Sequence, residues 1–536
     1  DIVGRVVASQ QAFRNRNYLY IGYSDNATGA LTLGTESGSD TPELNAKQVH
    51  VARGYGTAGG ASTGTLTVQG AGTLNATHLF VGDTYGDAAG VTSAANGYLY
   101  VKDNAAISVS ESFRMGVHGM GTADQTGGNV TLVKSVHFGG YENGDGTYNI
   151  SGGTLNATST SSQFYVGYEE NSRGEVNVSG NAVVNINTPL YIGYKGTGEY
   201  EQTDGTTTVN NVVGIGYNDS AAIGTLTVSG GTFSATEIIV GNLGAGTFNL
   251  GGGVANLAGG AVNTANSGTF NFKGGTLKNA ATVSMAVNLQ SGGSGAVFQQ
   301  ANYAGTVSGD ISGGGTLTKT GAESLTLSGT NSYTGLTTVQ EGTLQFSGAT
   351  AWNPILSLGG ADVQAGKLVF DYSGDGEFTP AADVFDKLDD AYDNGFLSGQ
   401  IFSSEATTLC GLGWIDDTAN SQLTVQYAIY GDATLDGEVN ADDLTKVLTN
   451  YNSAGNWATG DFTYDGVIDA DDLTKILANY NTTMTCGTAM PGAGLDAEAI
   501  AMLSAAGFTV VPEPSTFVLL AAGLLGLFAY AWKKRK

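Results

Sequence analysis

Two short acidic segments near the C-terminus have the residue types and spacing of a cation-binding loop. They read GDATLDGEVNADDLTKVLTNYN from Gly431 and GDFTYDGVIDADDLTKILANYN from Gly460. In each segment carboxylates surround one glycine, and apolar residues at helical spacing follow. Hard cations such as Ca²⁺ take about six to eight oxygen ligands, which a loop of about 12 residues supplies at alternating positions. The duplicated pattern therefore predicts two calcium sites, each followed by a helix.

Each loop offers a ligand at every position that such a loop requires. Gly437 and Gly466 stand where the chain must turn sharply, and Glu438 and Val467 each contribute a backbone carbonyl. The last ligand of each loop is Asp, where Glu is usual. The predicted ligands are Asp432, Thr434, Asp436, Glu438, Asn440 and Asp443 in the first loop, and Asp461, Thr463, Asp465, Val467, Asp469 and Asp472 in the second.

The charge of this region predicts that it folds when a cation is bound. Residues 431–481 contain ten Asp or Glu and two Lys, and isolated helices of about 10 residues are marginal in water. The duplicated loop and helix resemble a type I dockerin. The resemblance implies a cohesin-like partner reached through Ala441-Asp442 and Ala470-Asp471, and a domain of the same chain is the other candidate partner. An acidic surface turn without metal is the alternative interpretation.

The first two-thirds of the chain is a repeat of short strands. A strand that ends in glycine recurs every 23 to 34 residues, and two further strands, such as GTLTVQG and GTLNA, follow most copies. Alternation points Leu66 and Val68 to one face and Thr65 and Thr67 to the other. This period predicts a parallel β-helix, or β-solenoid, because propeller blades need about 40 residues. The glycines are Gly22, Gly54, Gly82, Gly116, Gly139, Gly167, Gly193, Gly216 and Gly241.

The end of the repeat has a distinct sequence. Residues 313–348 read GGGTLTKTGAESLTLSGTNSYTGLTTVQEGTLQFSG and resemble the passenger-associated (autotransporter-associated) β-strand repeat of bacterial surface proteins. That resemblance implies a secreted β-helix. The mostly β chain is then predicted to consist of five parts: a β-solenoid at 1–348, a small α/β cap at 349–429, the dockerin-like module at 430–486, a linker at 487–511 and a sorting tail at 512–536.

The tail has three ordered parts. Pro512, Glu513 and Pro514 precede the apolar stretch Phe517–Trp532, and Lys533–Lys536 are all basic. This order predicts a transmembrane helix with a cytoplasmic basic end, and it resembles the PEP-CTERM sorting signal. The resemblance implies an exosortase that recognises the motif and cleaves near it. It also implies a destination on the surface of a Gram-negative-type bacterium, associated with exopolysaccharide and anchored in the membrane at least transiently.

Composition and charge argue against some classes of function. The net charge of −27 argues against a nucleic-acid partner. Cys410 and Cys486 allow one disulfide. The sequence contains no further evidence for or against this bond. Asp1 opens the chain without a signal-peptide pattern, so a leader has been removed or the start is missing. The four histidines are scattered along the repeat without the spacing of a catalytic triad or metal site: His50, His78, His118 and His137.

The sequence therefore predicts a non-enzymatic surface protein. Its β-solenoid would serve as a stalk or adhesive domain, with exopolysaccharide or a cohesin-like surface protein as partner, and self-assembly into homo-oligomers or fibres stays open. The alternative is a polysaccharide-binding or polysaccharide-degrading β-helix enzyme. Three or more carboxylates together with basic residues in one cleft of the solenoid would favour the enzyme, whereas a smooth Thr/Asn face would favour the structural protein.

Overall fold

The structure is a computed structural model of the 536-residue chain. The chain divides into two compact units. The first unit comprises Asp1–Glu405 with Asp416–Tyr427, and the second comprises Ala406–Ile415 with Ala428–Lys536. The structure describes residues 13–23, 26–35, 41–54, 60–84, 94–348, 351–374, 379–485, 488–490 and 494–509.

The first unit is mostly β and is built from parallel sheets, as a β-solenoid requires. One sheet stacks twelve strands in sequence order, each paired in parallel with the strand of the next coil. Its strands are Thr28–Leu33, Ala61–Val68, Ala94–Val101, Met120–Gln125, Asp145–Ile150, Arg173–Val178, Thr197–Gln202, Ile223–Val228, Ala245–Leu250, Gly268–Phe272, Val287–Leu289 and Ile311–Gly313.

The other two strand positions of each coil lie in a second sheet. In the first four coils they join into one long strand, such as Glu43–Gly54, and in most later coils they separate, with the exceptions Thr206–Ile215 and Thr232–Val240. The strands are Phe13–Tyr23, Glu43–Gly54, Thr73–Thr84, Ala106–Val117, Asn129–Leu132, Ser135–Phe138, Thr154–Ala157, Phe164–Val166, Val183–Ile186, Leu190–Ile192, Thr206–Ile215, Thr232–Val240, Val254–Asn256, Ala261–Asn263, Thr276–Lys278, Thr282–Val283, Ala296–Gln299, Gly305–Val307, Leu317–Thr320, Leu325–Leu327, Thr337–Val339, Thr343–Ser347, Ala361–Val363, Lys367–Asp371 and Ile401–Phe402.

The core lies inside the coils, as the alternating pattern predicts. Leu66 and Val68 are fully buried, whereas Thr65 and Thr67 between them are partly exposed. Stacking places apolar side chains of successive coils above one another, because each parallel partner sits at the same position of its own coil. The aromatic rings of Phe113, Phe138 and Phe164 form such a stack, with centroid separations of 5.7 and 5.2 Å.

The register corrects one assignment of the repeat. Tyr20 pairs with His50 and Ile21 pairs with Val51, so the residue that matches Gly22 is Ala52 and not the predicted Gly54. Ala52 has φ +59°, close to the +72° of Gly22. The sequence suggested Gly54 because the other eight copies of this turn carry glycine. Alanine adopts this left-handed conformation at a small energetic cost, so a search for glycine alone misplaces the second coil by two residues.

The conserved geometry of this turn depends on close backbone contact between coils. Gly167 has φ +74°, and a Cβ atom there would lie 2.2 Å from the carbonyl oxygen of Thr197. A Cβ at Gly174, in the second strand, would lie 2.3 Å from the backbone nitrogen of Gly167. Two glycine positions therefore meet where the two sheets approach each other, which accounts for the high glycine content of the repeat.

Parallel stacking continues past residue 348. Ala361–Val363 pairs with Thr337–Val339, and Lys367–Asp371 pairs with Thr343–Ser347. Gln422–Gln426 then adds to Lys367–Asp371 in the antiparallel direction, which ends the parallel order at that edge. The two strands that carry the chain from one unit to the other are Cys410–Asp417 and Gln422–Ile429.

Among the described residues the helices are few and short. In the first unit α1 is Asn353–Leu356 and α2 is Ala381–Tyr392, and in the second α3 is Ala441–Asn450, α4 is Ala470–Asn479 and α5 is Ala497–Ala505. The second unit also contains a 3₁₀ turn at Trp457–Thr459 and the short strands Glu438–Val439, Ser453–Ala454, Val467–Ile468, Thr482–Thr485 and Thr488–Met490. The predicted boundaries of cap, module and linker remain predictions.

Candidate functional site

Two carboxylates of the first acidic loop accept hydrogen bonds from backbone amides of the same loop. Asp432 accepts hydrogen bonds from the backbone amides of Asp436, at 3.2 Å, and Gly437, at 2.9 Å. Asp443 accepts from the Asn440 amide at 2.9 Å and from the Thr434 amide at 3.1 Å. The two carboxylates thus accept from the amides at the third, fifth, sixth and ninth positions of the loop and fix its path.

The second loop repeats this arrangement. Asp461 accepts from the Gly466 amide at 3.0 Å, and Asp472 accepts from the amides of Phe462, Thr463 and Asp469 at 2.7, 3.0 and 2.9 Å. The other oxygen of Asp461, Oδ1, is buried and has no hydrogen-bond partner. A buried carboxylate oxygen without a donor carries a large desolvation cost, which a cation would offset.

Burial distinguishes these carboxylates from surface residues. Asp432 and Asp461 are each 1% exposed, and Asp443 and Asp472 are completely buried. Burial raises the pKa of Asp432 to about 7, and the nearby Asp443 adds to this rise. Burial also raises the pKa of Asp461 to about 7, and Asp472 adds to it. The alternative of an acidic surface turn does not fit these four side chains.

Part of the pattern is explained by helix capping. The Asn440 side chain caps α3 by accepting a hydrogen bond from the Asp442 amide, and the Asp443 carboxylate accepts one from the Asn440 amide. Asp469 and Asp472 form the same reciprocal box on α4. A capping box satisfies otherwise unpaired amides at a helix start, so Asp443 and Asp472 have a structural role whether or not a cation binds.

The remaining predicted ligands lie at the loop surfaces. Asp436 and Asp465 are exposed, and each accepts a hydrogen bond from the amide two residues later, at 2.9 Å. Thr434, Asn440, Thr463 and Asp469 are partly exposed, and Glu438 and Val467 are exposed. Within the described part of the chain, no three His, Cys, Asp or Glu side chains converge as a preformed metal-binding group. The calcium sites therefore remain a prediction.

The two loop–helix halves are interlocked, which the sequence did not reveal. Asn479, at the end of α4, donates a hydrogen bond at 2.7 Å to the Tyr430 carbonyl just before the first loop. Asn450, at the end of α3, donates at 3.3 Å to the Thr459 carbonyl just before the second. The short strand of each loop also pairs with the segment that follows the other half's helix. The Asn-Tyr-Asn sequence that begins at the last residue of α3 and of α4 was the sequence feature that could have indicated these contacts.

A second candidate site is a charged cleft on the first unit. It encloses about 740 Å³. The His50 ring Nδ1 lies 2.7 Å from Oδ2 of Asp83, and Arg53 Nε lies 3.6 Å from the same oxygen. The charged or titratable residues that line it are His50, Arg53, Asp83, Arg114, His118, Glu142, Glu169 and Glu170.

Sequence reasoning missed this cleft, because its members are far apart along the chain. His50 and His118 lie in it, although the scattered spacing of the four histidines had suggested no common site. His78 and His137 do not line it. Burial lowers the pKa of His137 to about 3, and the nearby Arg114 adds to this effect. Correct register between coils, including the Ala52 turn, would have aligned His50, Phe80 and Arg114 on neighbouring strands.

Two segments of the chain match known families. Residues 317–346 match the passenger-associated-transport-repeat, and residues 510–536 match the PEP-CTERM protein-sorting motif. No curated protein and no solved structure matches the chain. The matches confirm both of these predicted resemblances, whereas the dockerin resemblance stays a prediction. The sorting motif implies a secreted or cell-surface protein of a Gram-negative bacterium and is consistent with recognition by an exosortase.

Several predictions concern residues outside the described part. These include Pro512, Glu513 and Pro514, the apolar stretch that follows them, and Cys486, so the disulfide and the transmembrane helix remain predictions. In the portion that the structure describes, every helix is too short or too polar to span a membrane.

Proposed function

We propose that this chain is a non-enzymatic surface protein with a calcium-stabilised module. In this proposal the β-solenoid is the stalk or adhesive part, the acidic loops bind two Ca²⁺ ions, and an exosortase processes the tail. The passenger-type repeat and the sorting motif support surface localisation. A cohesin-like partner for the module rests on the dockerin resemblance alone.

The observation that carries the calcium proposal is the buried oxygen Oδ1 of Asp461. It has no hydrogen-bond partner, and the Asp472 carboxylate nearby is also buried. Two negative charges in low dielectric repel each other strongly unless a cation or a proton neutralises them. The first loop buries Asp432 and Asp443 in the same way. Bound calcium would supply the neutralising charge, and the six predicted oxygen ligands of each loop would hold it.

Calorimetric titration of the full chain tests this proposal. We expect about two Ca²⁺ per chain and weaker binding of Mg²⁺, because Mg²⁺ demands near-octahedral geometry. Hydrogen exchange should show stronger protection of residues 430–485 in calcium than in chelator, since ligand binding to the folded form adds about 2.7 kcal/mol per site at 100 times Kd. Equal protection in both conditions would contradict the proposal.

Two double variants distinguish the loss of calcium ligands from the loss of negative charge alone. Asp436→Ala with Asp465→Ala removes two exposed predicted ligands and should abolish the calcium response. Asp442→Ala with Asp471→Ala removes two exposed carboxylates outside the predicted ligand set and should preserve it. Because both double variants change the net charge equally, a similar loss in both would point to general electrostatics and not to two sites.

Replacing Pro512, Glu513 and Pro514 by alanine tests the sorting part in a host that has an exosortase. The parent protein should reach the surface without Lys533–Lys536, as mass spectrometry can show, whereas the variant should keep its tail. An intact tail on all surface-exposed parent protein would refute processing.

The charged cleft supports a second candidate function, polysaccharide binding or degradation. Carboxylates and basic residues share one cleft, which is the arrangement expected of the enzyme alternative. Within it, however, Asp83 is engaged by His50 and Arg53, and Glu169 pairs with Lys195 at 3.0 Å. These two engaged carboxylates are poorly placed for acid–base work, so Glu142 and Glu170 are the candidates for it in the enzyme alternative. Incubation with polysaccharides, followed by chromatography of the products, distinguishes binding from degradation.

A further inference from the structure

Planar side chains occupy one outward-facing position of the first strand in successive coils. Each member is the parallel Cα partner of the next, on the face opposite the core residues Val49 and Val51. Two members, His50 and His137, are buried beneath neighbouring rings, and the others are partly exposed. We call this row the planar ladder. Its members, in order, are Tyr20, His50, Phe80, Arg114, His137, Tyr165 and Tyr191.

The rings of the planar ladder pack along the stacking direction of the coils. The centroids of Tyr20 and His50 are 5.0 Å apart, those of His50 and Phe80 are 4.7 Å apart, and those of Tyr165 and Tyr191 are 5.7 Å apart. Gly214 occupies the next position after Tyr191 and ends the row. The coils from Tyr20 to Tyr191 thus share a strip of aromatic and cationic groups that the later coils lack.

A second row of tyrosines widens the strip at its far end. Tyr194 stacks on Tyr168 with centroids 5.8 Å apart, and Tyr217 lies 4.6 Å from Tyr191. All of these tyrosines are partly exposed. Such a surface combines apolar ring area with phenolic hydroxyl groups. Sugars present apolar C–H faces and hydroxyl groups together, so a chain of sugar units complements this strip.

Arg114 is the cation at the middle of the planar ladder. Its guanidinium donates a hydrogen bond of 2.5 Å to the Tyr141 hydroxyl, and its Cζ lies 5.2 Å from the Tyr141 ring. Among the described residues, no carboxylate lies within ion-pair distance of it, in contrast to Arg53, which faces Asp83 at 3.6 Å. Arg114 is partly exposed and lines the cleft.

The charge of Arg114 indicates the chemistry of the ligand. A guanidinium presents paired N–H donors in a fork that matches a carboxylate, and such charge-assisted bonds are stronger than neutral ones. Of the four carboxylates in the cleft, Asp83 and Glu169 are already paired with basic side chains. Arg114 has no such partner among the described residues, so it attracts a ligand carboxylate locally although the net charge of the chain disfavours polyanions in general. A sugar that bears a carboxylate would pair with Arg114, while its hydroxyl groups reach the carboxylates of Glu142 and Glu170 at the cleft.

Resting on the proposed adhesive role of the solenoid, we propose that the Arg114 cleft and the planar ladder form one binding face for an acidic polysaccharide built from uronic-acid units. One uronate would occupy the cleft, and the neighbouring sugar units would lie along the ladder toward Tyr165 and Tyr191. The proposal involves binding only and requires no bond to be broken.

Affinity electrophoresis of the full chain in gels that contain polygalacturonate tests the ligand class. The matched polymer is carboxyl-reduced polygalacturonate, which has the same backbone without charge. We expect retention by polygalacturonate about tenfold stronger than by the reduced polymer, as one charge-assisted contact predicts. Equal retention by both polymers would overturn the uronate assignment, and retention by neither would overturn the binding face.

Variants locate the site. Arg114→Gln should weaken retention about tenfold. Lys134→Gln removes the same charge from an exposed residue outside the cleft and should leave it unchanged. Tyr191→Ala should weaken binding of the polymer more than binding of a trigalacturonate, which is too short to reach from the cleft along the ladder. Circular dichroism confirms folding of each variant, and equal effects of Arg114→Gln and Lys134→Gln would overturn the proposal.

Analysis of the polymer chains after incubation distinguishes failure of the binding proposal from failure of the proposed function. Shortened polygalacturonate chains after incubation would overturn the non-enzymatic function and would support the cleft as the place where the polymer binds. Loss of the calcium response or of tail processing would contradict the proposed function and would leave the polysaccharide result standing.

Discussion

The Asp443 carboxylate accepts two hydrogen bonds from Thr434, one from its backbone amide and one from its hydroxyl, both of 3.1 Å. The same hydroxyl lies 3.4 Å from Oδ1 of Asp432. Thr463 makes equivalent contacts with Asp472, at 3.0 and 3.1 Å. One hydroxyl thus connects the carboxylates at both ends of the first loop, and both carboxylates are buried.

Replacing one of these carboxylates should have opposite effects with and without calcium. Asp432→Asn removes a buried charge whose pKa burial raises to about 7. In chelator the variant should be more stable than the parent by roughly 1–3 kcal/mol, because it carries less repulsion. In calcium the order should reverse, because the parent alone keeps a charged ligand.

Thermal unfolding of both proteins in chelator and in millimolar calcium measures this reversal. Asp442→Asn serves as the control, since Asp442 is exposed and its substitution should shift both conditions equally. The same order of stability under both conditions would show that Asp432 does not bind the cation.

Asn479 and Asn450 should contribute unequally to the stability of the acidic module. Asn479→Ala leaves the Tyr430 carbonyl without a donor at a site where Asn479 is 4% exposed, and we expect a loss of roughly 1–3 kcal/mol. Asn450→Ala removes a longer bond at a partly exposed site and should cost less than about 1 kcal/mol. Hydrogen exchange of the α3 and α4 amides ranks the two variants, and equal losses would contradict the geometry.

The turn glycines should be needed for space as well as for backbone conformation. Gly167→Ala places a Cβ 2.2 Å from the Thr197 carbonyl oxygen, whereas Gly292→Ala, at φ +80°, meets no atom within 4 Å. The left-handed conformation alone costs about 1–2 kcal/mol. Gly167→Ala should therefore lower the free energy of unfolding by roughly 3 kcal/mol or more, and Gly292→Ala by about 1 to 2. Urea unfolding measures the free energy of unfolding of both variants. Similar losses of stability would show that the backbone of the coils shifts to accommodate the Cβ atom at Gly167.

The passenger-type repeat should depend on a buried lysine. Lys319 is fully buried, and its Nζ donates to the carbonyls of Thr320, Gly321 and Glu341 at 2.9, 2.6 and 3.0 Å. Lys319→Met leaves these carbonyls without that donor and should cost roughly 2–4 kcal/mol. Lys273→Met, at an exposed position, should change stability by less than about 0.5 kcal/mol. Calorimetric unfolding tests both, and a small effect of Lys319→Met would contradict its structural role.

His137 should make the first unit sensitive to acid. Burial lowers the pKa of His137 to about 3, so between about pH 6.5 and 3 the unfolded chain binds a proton that the folded chain does not. Its contribution to stability is therefore full above about pH 6.5 and falls by about 1.4 kcal/mol per pH unit below it. His137→Phe keeps a ring against Tyr165 and Tyr168 and should show a shallower decline. Urea unfolding at pH 7 and 5.5 measures the difference, and identical slopes would contradict the shift.

Local patterns predicted the repeating parts of this protein well. Alternation at Thr65–Val68 fixed the inward face, because a strand presents successive side chains to opposite sides. The capping boxes at the starts of α3 and α4 also depend only on neighbours in sequence, whereas the ligand roles of the loop residues remain a prediction. Gly54 was misassigned because the turn demands a backbone conformation and not a particular residue, and Ala52 supplies that conformation.

Contacts between distant segments were beyond the reach of the sequence. The bond from Asn479 to Tyr430 depends on how two helices cross, and the pairing of His50 with Asp83 depends on coil register across 33 residues. Uneven coil lengths hide that register, so the cleft emerged only when the strands were paired. The burial of Asp432 and Asp461 likewise follows from tertiary packing, since aspartate is usually exposed.

The exchange of strands within the acidic module determines how it bears mechanical load. The strand Thr482–Thr485 follows α4, and its residues Thr482 and Thr483 pair with Val439 and Glu438 of the first loop. Tension applied to this strand therefore reaches the first loop directly, although the second loop is closer in sequence. Because the second loop's strand pairs in turn with Ser453–Ala454, neither half can be peeled away while the other stays intact. The two halves of the module should therefore unfold together under load.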